Sequence, residues 1–437
     1  MTLDLLLKNA KIVTPKGIFE GDLAVSEGKI VGIGRIAQIG GAASKAKTEQ
    51  DCSGLFILPG VIDMHVHFRD PGFTEKEDFK TGSLAAAAGG ITTVVDMPNT
   101  DPPTLTFKDF EEKCLIAKEK SVVNFGLYMG FDGHNLDEIK KAKSSPEFMG
   151  VKIYMGSSTG NLLVQDSAAI EELFKLGLFV IVHAEDENII RENKAKYLAD
   201  EKSGAIDPSV HSLIRSPSAA REAVKTILHL AKKQNARVHI THVSTEAEVE
   251  ELKKFASPLV TADCTPHHLF LTQSAYADRG NFVKVNPPLR TNQDRQALWK
   301  ALHEGIIQVV ATDHAPHTKK EKEQSYELAP AGVPGVETLL PLLLDAVNHG
   351  EATLEEVIKW TSGNPAKLLG FKNKGKIEVE ADADLIVVDM NKEQEVCGTG
   401  HKFKTKCNWS PFSGWKLKGW PVLTIVNGEI MYNALYE

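Results

Sequence analysis

The sequence predicts an α/β protein: a closed parallel (β/α)8 barrel of the TIM type, carrying a small β-sandwich-like satellite domain formed by both chain termini. Three observations predict it. Eight apolar strand-like runs recur between residues 61 and 317, amphipathic helical segments separate them, and β-like alternation marks both ends of the chain. Eight strand–helix units in series imply a closed barrel.

The elements follow in order. From Leu3 to Ile36, short runs (LDLLL, KIVT, DLAVS, KIVGIG) are broken by turn signals such as Lys16-Gly17, with no helical period. That texture predicts a small antiparallel β unit. It returns near the C-terminus in KGKIEV, ADLIVVDM, VLTIVNG and EIMYN. The two ends are therefore expected to form one domain, residues 1–55 with 375–437, flanking a barrel over 56–374. The eight barrel strands begin at Val61, Thr92, Asn124, Gly150, Phe179, Arg237, Leu259 and Gln308. Their near-continuous apolar character suits strands buried on both faces. Segments such as Leu105 to Lys120, Ser167 to Gly177, Ser218 to Gln234 and Thr291 to Gly305 place apolar residues three and four apart, the helical spacing. A doubly wound open sheet competes, but the Gly-rich phosphate turn it would need after the first strand is absent.

Composition narrows the function classes. At 437 residues, 42% hydrophobic and 25% charged, the chain has the apolar content of a folded protein. A net charge of −8 without a basic stripe argues against nucleic acid. No apolar run reaches the ~18 residues of a membrane helix and no signal peptide is evident, so the expectation is a cytoplasmic protein without membrane attachment. The five cysteines are scattered and never spaced C-x-x-C, which predicts reduced thiols. Asn408-Trp409-Ser410 fits a glycosylation sequon and is set aside as a short match. A homo-oligomer is compatible with the sequence.

Barrel enzymes keep their chemistry at the C-terminal ends of the strands. His65 and His67 lie two apart near the end of strand 1, so both imidazoles project to one side. Taken alone, the pair reads equally well as core histidines bonded to backbone groups. Lys152 in strand 4, His183 ending strand 5, His242 ending strand 6 and Asp313 ending strand 8 add polar residues at the same level. Four imidazoles and a carboxylate suit zinc, whereas magnesium or calcium calls for oxygen ligands. Lys152 is the odd member, because an ammonium has no lone pair to donate.

Pro59-Gly60-Val61-Ile62-Asp63-Met64-His65-Val66-His67 resembles the opening signature of the amidohydrolase superfamily. In its cyclic-amidase branch a strand-4 lysine is carboxylated by CO2 and bridges two metals, and Lys152 is the matching residue. His67-Phe68-Arg69-Asp70-Pro71-Gly72, Met97-Pro98-Asn99-Thr100, Asn286-Pro287-Pro288-Leu289-Arg290 and Asp313-His314-Ala315-Pro316-His317 resemble the motifs of dihydroorotases. That resemblance spans essentially the whole chain. It implies two zinc ions bound by His65, His67, Lys152, His183, His242 and Asp313, with Asp313 moving the proton. It implies reversible opening of (S)-dihydroorotate to N-carbamoyl-L-aspartate, a step of pyrimidine synthesis. Arg69, Asn99 and His317 are expected around the substrate carboxylate, and Asn286, Ala331 and Gly332 around its ring. Ala331 stands where many dihydroorotases carry Phe, and one bacterial group has aspartate where this chain has Lys152.

Other readings have their own residues. An allantoinase or a hydantoinase (dihydropyrimidinase) departs mainly at Arg69, and a non-catalytic homologue would have lost metal ligands that this chain retains. For Arg69 the plainer alternative is a surface ion pair with Asp70 or Glu75. Cys264, His267 and His268 read as packing and turn residues, Met97 and Met155 as packing, and Gly156 to Gly160 as a flexible loop.

Overall fold

The computed structural model describes residues 3–35, 46–157, 162–199, 206–398 and 403–435. Of the loop expected at Gly156 to Gly160, Ser158, Thr159 and Gly160 lie outside the described residues. Two eight-stranded sheets organise the chain.

The first sheet draws on both ends: β1 (Leu3–Thr14), β2 (Gly17–Ser26), β3 (Lys29–Gly34), β4 (Ala46–Asp51) and β5 (Phe56–Pro59). The second is the barrel, β6 (Val61–Val66), β7 (Ile91–Asp96), β8 (Asn124–Gly130), β9 (Phe148–Tyr154), β10 (Val180–His183), β11 (Val238–Ile240), β12 (Val260–Cys264) and β13 (Val309–Val310). Strands β14 (Leu385–Glu395), β15 (Lys416–Val426) and β16 (Glu429–Asn433) then return to the first sheet, in the order β16-β15-β14-β5-β1-β2-β3 with β4 beside β1.

Within Leu3 to Ile36 the strands pair antiparallel as expected, β1 with β2 and β2 with β3, and the sheet becomes mixed only where later strands join it. β1 pairs antiparallel with β2 but parallel with both β4 and β5. Alternation along a strand reports which face is buried and carries no information on the direction of its neighbour. Gly60 joins β5 to β6 where the packing admits only glycine: a Cβ there would stand 2.0 Å from Thr92 Oγ1.

In the barrel, β6 to β13 pair in parallel in chain order, and a Val66–His314 bridge with His67 N–H donating to His314 O at 2.8 Å closes the ring. All six residues of β6 and of β7 are buried, as a sheet covered on both faces requires. Met64, Val95, Met97, Tyr128, Ile181, Val309 and Ala311 form one buried cluster, with Met97 packing as expected. Helices start where the local sequence tells them to. Asp78/Thr81, Thr106/Asp109, Thr245/Glu248 and Thr291/Asp294 form reciprocal capping pairs that satisfy the first free N–H groups.

Several strands are shorter than their apolar runs suggest. His242 and Asp313 lie beyond β11 and β13 with φ of +41° and +47°, and Arg69 beyond β6 has φ +63°. These are left-handed conformations in which non-glycine residues are uncommon. Each turns the chain out of its ladder at a strand end, where apolar composition alone does not mark the break. His267 and His268 likewise fall on a short helix, Pro266–Phe270, capped by Thr265.

The connection from β14 to β15 reaches across to the C-terminal rim of the barrel. Trp409 Nε1–H donates to His317 O at 2.7 Å, and Lys404 and Thr405 N–H groups donate to Glu337. Lys406 Nζ donates to Thr74 O at 2.6 Å, so this connection braces the loops that follow β6 and β13.

Candidate metal and active site

Six polar residues meet at the C-terminal end of the barrel, all buried. His65 Nε2 and His67 Nε2 lie 3.1 and 3.0 Å from the same atom, Asp313 Oδ1. Across the barrel mouth His183 Nδ1 stands 3.0 Å from His242 Nε2. The His65 and His242 rings, 5.4 Å apart, link the two groups. Lys152, on β9, donates to Thr241 Oγ1 at 3.3 Å beside them.

Surrounding carboxylates orient these side chains. Asp63 accepts from the backbone N–H of His65 and of Thr312 and from the Thr312 hydroxyl. Asp263 accepts from His242 N–H at 2.6 Å and lies 2.9 Å from His239 Nε2. His183 Nε2 lies 3.0 Å from Glu185 Oε2, which also receives Arg215 Nη1 at 2.8 Å. Burial opposes ionisation of Glu185, but Arg215 and His183 outweigh it and bring the carboxyl down to about 2.

The donor set fits a metal ion. His67 Nδ1 lies 2.6 Å from Asn99 Oδ1, so Nδ1 carries the proton and Nε2 presents its lone pair toward Asp313. Burial holds His67 neutral, down to about 3, and pushes His183 and His242 down as well. Lone pairs of a neutral imidazole and a carboxylate converging at 3 Å repel one another unless a cation lies among them. The ligand atoms of His65, His67 and Asp313 all fall within 4.8 Å of one another, and Nδ1 of both His65 and His242 finds no partner among the described residues. Burial draws the Lys152 amine down to about 8, which leaves part of it neutral near neutral pH.

Beside this cluster Arg69 is buried, its Nη2 3.2 Å from His317 Nε2 and its Nε donating to Pro316 O at 3.4 Å. The surface ion pair is overturned: Asp70 is taken by Lys120 at 2.7 Å, and among the described residues Arg69 has no carboxylate within bridging distance. His317 Nε2 also lies 3.2 Å from Ala331 O. Gly332 has φ +138°, and a Cβ there would stand 2.6 Å from Ala315 O and 3.1 Å from His317. Asn286, in the segment after β12, accepts from His211 Nε2 at 2.9 Å.

Two buried lysines shape this rim, neither predicted from sequence. Lys322 Nζ donates to the carbonyls of Lys284, Pro330 and Gly332, and Lys284 Nζ to those of Tyr326 and Ala329. Together they staple the loop that carries Ala331 and Gly332. Asp63 and Asp263 were also missed. Each is a carboxylate two residues from another polar group on the same face of an apolar strand, and that signal was readable. Of the residues expected to be structural, Cys264 is buried with its thiol pushed well up and His268 bonds Thr265 and Pro287, whereas the buried Nε2 of His267 meets no partner among the described residues.

The amidohydrolase family model matches residues 56–431. The chain is 37% identical to a dihydroorotase of Methanosarcina acetivorans over 98% of its own length and 92% of that protein's. It is 40% identical to a dihydroorotase of Pyrococcus abyssi, covering 95% and 91%. Among solved structures, the L-hydantoinase (dihydropyrimidinase) of Arthrobacter aurescens superposes with a TM-score of 0.92 at 32% identity, over 99% of this chain and 97% of that one.

Proposed function

The chain belongs to the amidohydrolase family, and from that premise we propose that it is a cytoplasmic dihydroorotase, opening (S)-dihydroorotate to N-carbamoyl-L-aspartate and closing it again. The enzyme is a hydrolase acting on a cyclic amide. One observation carries the choice of substrate. Arg69 is a buried guanidinium beside His317 and the His65–His67–Asp313 cluster, and among the described residues no carboxylate lies within salt-bridge distance of it, Asp313 and Asp96 acting on it only from farther away. A buried cation without a partner is costly, and a substrate carboxylate supplies that partner through two parallel hydrogen bonds.

His65, His67 and Asp313 would hold one zinc ion, His183 and His242 a second, with carboxylated Lys152 between them. Bound there, zinc supplies Lewis acidity, polarising the ring carbonyl and making water a stronger acid. The remaining steps belong to the chain itself. Arg69 grips the substrate carboxylate, with His317 and the Asn99 amide beside it. Asn286 and the main chain at Ala331 and Gly332 meet the ring. Asp313 takes the proton of the attacking water and delivers it to the ring nitrogen as the C–N bond breaks. In ring closure the same carboxylate returns that proton as water leaves. The buried surroundings keep bulk water from these transfers.

A hydantoinase-type activity is the second reading, favoured by the likeness to the Arthrobacter aurescens L-hydantoinase. The two part at Arg69, since hydantoin and dihydrouracil bear no carboxylate. Turnover of dihydroorotate, allantoin, hydantoin and dihydrouracil by one purified preparation decides between them. Dihydroorotate is expected to be the preferred substrate, and preference for either uncharged ring favours the second reading.

A further inference from the structure

His211 lies on the helix Val210–Ile214, away from every strand end, and is buried. Its Nε2 stands 3.0 Å from Val285 O and 2.9 Å from Asn286 Oδ1. A backbone carbonyl can only accept, so Nε2 carries the proton. Nδ1 is then a bare acceptor, and the Tyr326 hydroxyl, 2.9 Å away, donates to it. One carbonyl thus sets the direction of the whole relay, from Tyr326 O–H to His211 Nδ1 and from His211 Nε2–H to Asn286 Oδ1. With Oδ1 held, the two donors on Nδ2 of Asn286 are turned outward. They meet no acceptor among the described residues.

We propose that His211 is a positioning residue that presents Asn286 to the substrate as a hydrogen-bond donor, so that the ligand atom it recognises is a ring carbonyl oxygen and not a ring N–H. The inference rests on the reading of Asn286 as a substrate contact. Burial, reinforced by Arg215 and Lys284 nearby, keeps the imidazole neutral with its pKa down to about 3. A single proton on the ring is what gives the relay one direction. Asn286 is placed for this task by its neighbour, since Lys284 O accepts Gly332 N–H at 2.9 Å and Gly332 packs against His317.

The test is a double-mutant cycle on the metal-loaded enzyme, read as KM and kcat for dihydroorotate. His211→Leu and Asn286→Ala should each raise KM by about tenfold with kcat within about threefold, and the double variant should be no worse than Asn286→Ala alone. Asn286→Asp keeps the acceptor facing His211 and loses both donors, so its KM should rise at least as far as that of Asn286→Ala. If His211→Leu fails to fold, Tyr326→Phe loosens the same relay from its far end. It should raise KM about two- to fivefold, again only when Asn286 is present.

Additive effects in the cycle, or a wild-type KM in Asn286→Asp, overturn the relay. A raised KM in Asn286→Ala with an unchanged KM in His211→Leu, or in Tyr326→Phe where that variant stands in, overturns it while leaving the substrate contact intact. An unchanged KM in Asn286→Ala removes the contact itself, and the relay with it.

Discussion

Asn99 Oδ1 and His67 Nδ1 lie 2.6 Å apart, joining the loop after β7 to the histidine–carboxylate cluster at the end of β6. This bond selects the tautomer that leaves Nε2 bare, which is the form a metal requires. Asn99→Leu removes the acceptor and should weaken metal affinity by about 10- to 100-fold. Competition with a chelator of known strength measures it.

Lys152 lies beside Thr241 and the His183–His242 pair, and as a carbamate it would contribute to both proposed metal positions. Lys152→Ala should lower the metal content from about two ions per chain to one or fewer, by analogy with other shared-ligand sites. Elemental analysis of the purified variant checks this. An unchanged content, together with an unmodified lysine in the wild-type protein by intact mass, removes the bridging role.

Lys322 is buried with three carbonyl oxygens around its ammonium, from Lys284, Pro330 and Gly332. Lys322→Met fits the stem but leaves three acceptors unbonded, which should cost about 3 kcal/mol. A fall in the thermal midpoint is expected, accompanied by a raised KM because Ala331 and Gly332 lie on the released loop.

Glu337 accepts from the backbone N–H of Lys404 and Thr405, and burial pushes its carboxyl up to about 8. The folded protein therefore keeps a proton that the unfolded chain releases above its ordinary carboxyl range. The stabilisation is full below that range and is lost as pH rises through about 8. Thermal midpoints from pH 5 to pH 8.5 should fall more steeply for wild type than for Glu337→Gln, which has no proton to lose. Parallel curves contradict the assignment.

Much of the candidate site was legible because its residues interrupt apolar strands. His65, His183, His242 and Asp313 stand where a buried run should end in another apolar residue, and parallel strands bring such ends together. The barrel was legible for the same reason, as one apolar run after another separated by helical spacing. The direction of β4 and β5 beside β1 was not, since burial alternates identically in parallel and antiparallel strands. Nor were His211, Lys322 and Trp409, which reach the rim from two short helices and a loop. Their roles depend on contacts such as Trp409 Nε1–H to His317 O, across 92 residues of sequence. The buried state of Arg69 lies between these cases: its place after the histidine pair was visible, but the loss of Asp70 to Lys120 was not.

In the proposed dihydroorotase, Arg69 makes the enzyme specific for a ring bearing a carboxylate. The most direct measurement is the ratio of kcat/KM for dihydroorotate to that for dihydrouracil, in the wild-type enzyme and in Arg69→Lys. Lysine keeps the charge but not the planar fork, so a large ratio is expected in the wild type, falling by about 100-fold in the variant with metal content unchanged. A wild-type enzyme that turns over both rings alike, or an Arg69→Lys enzyme that keeps the ratio, would contradict it.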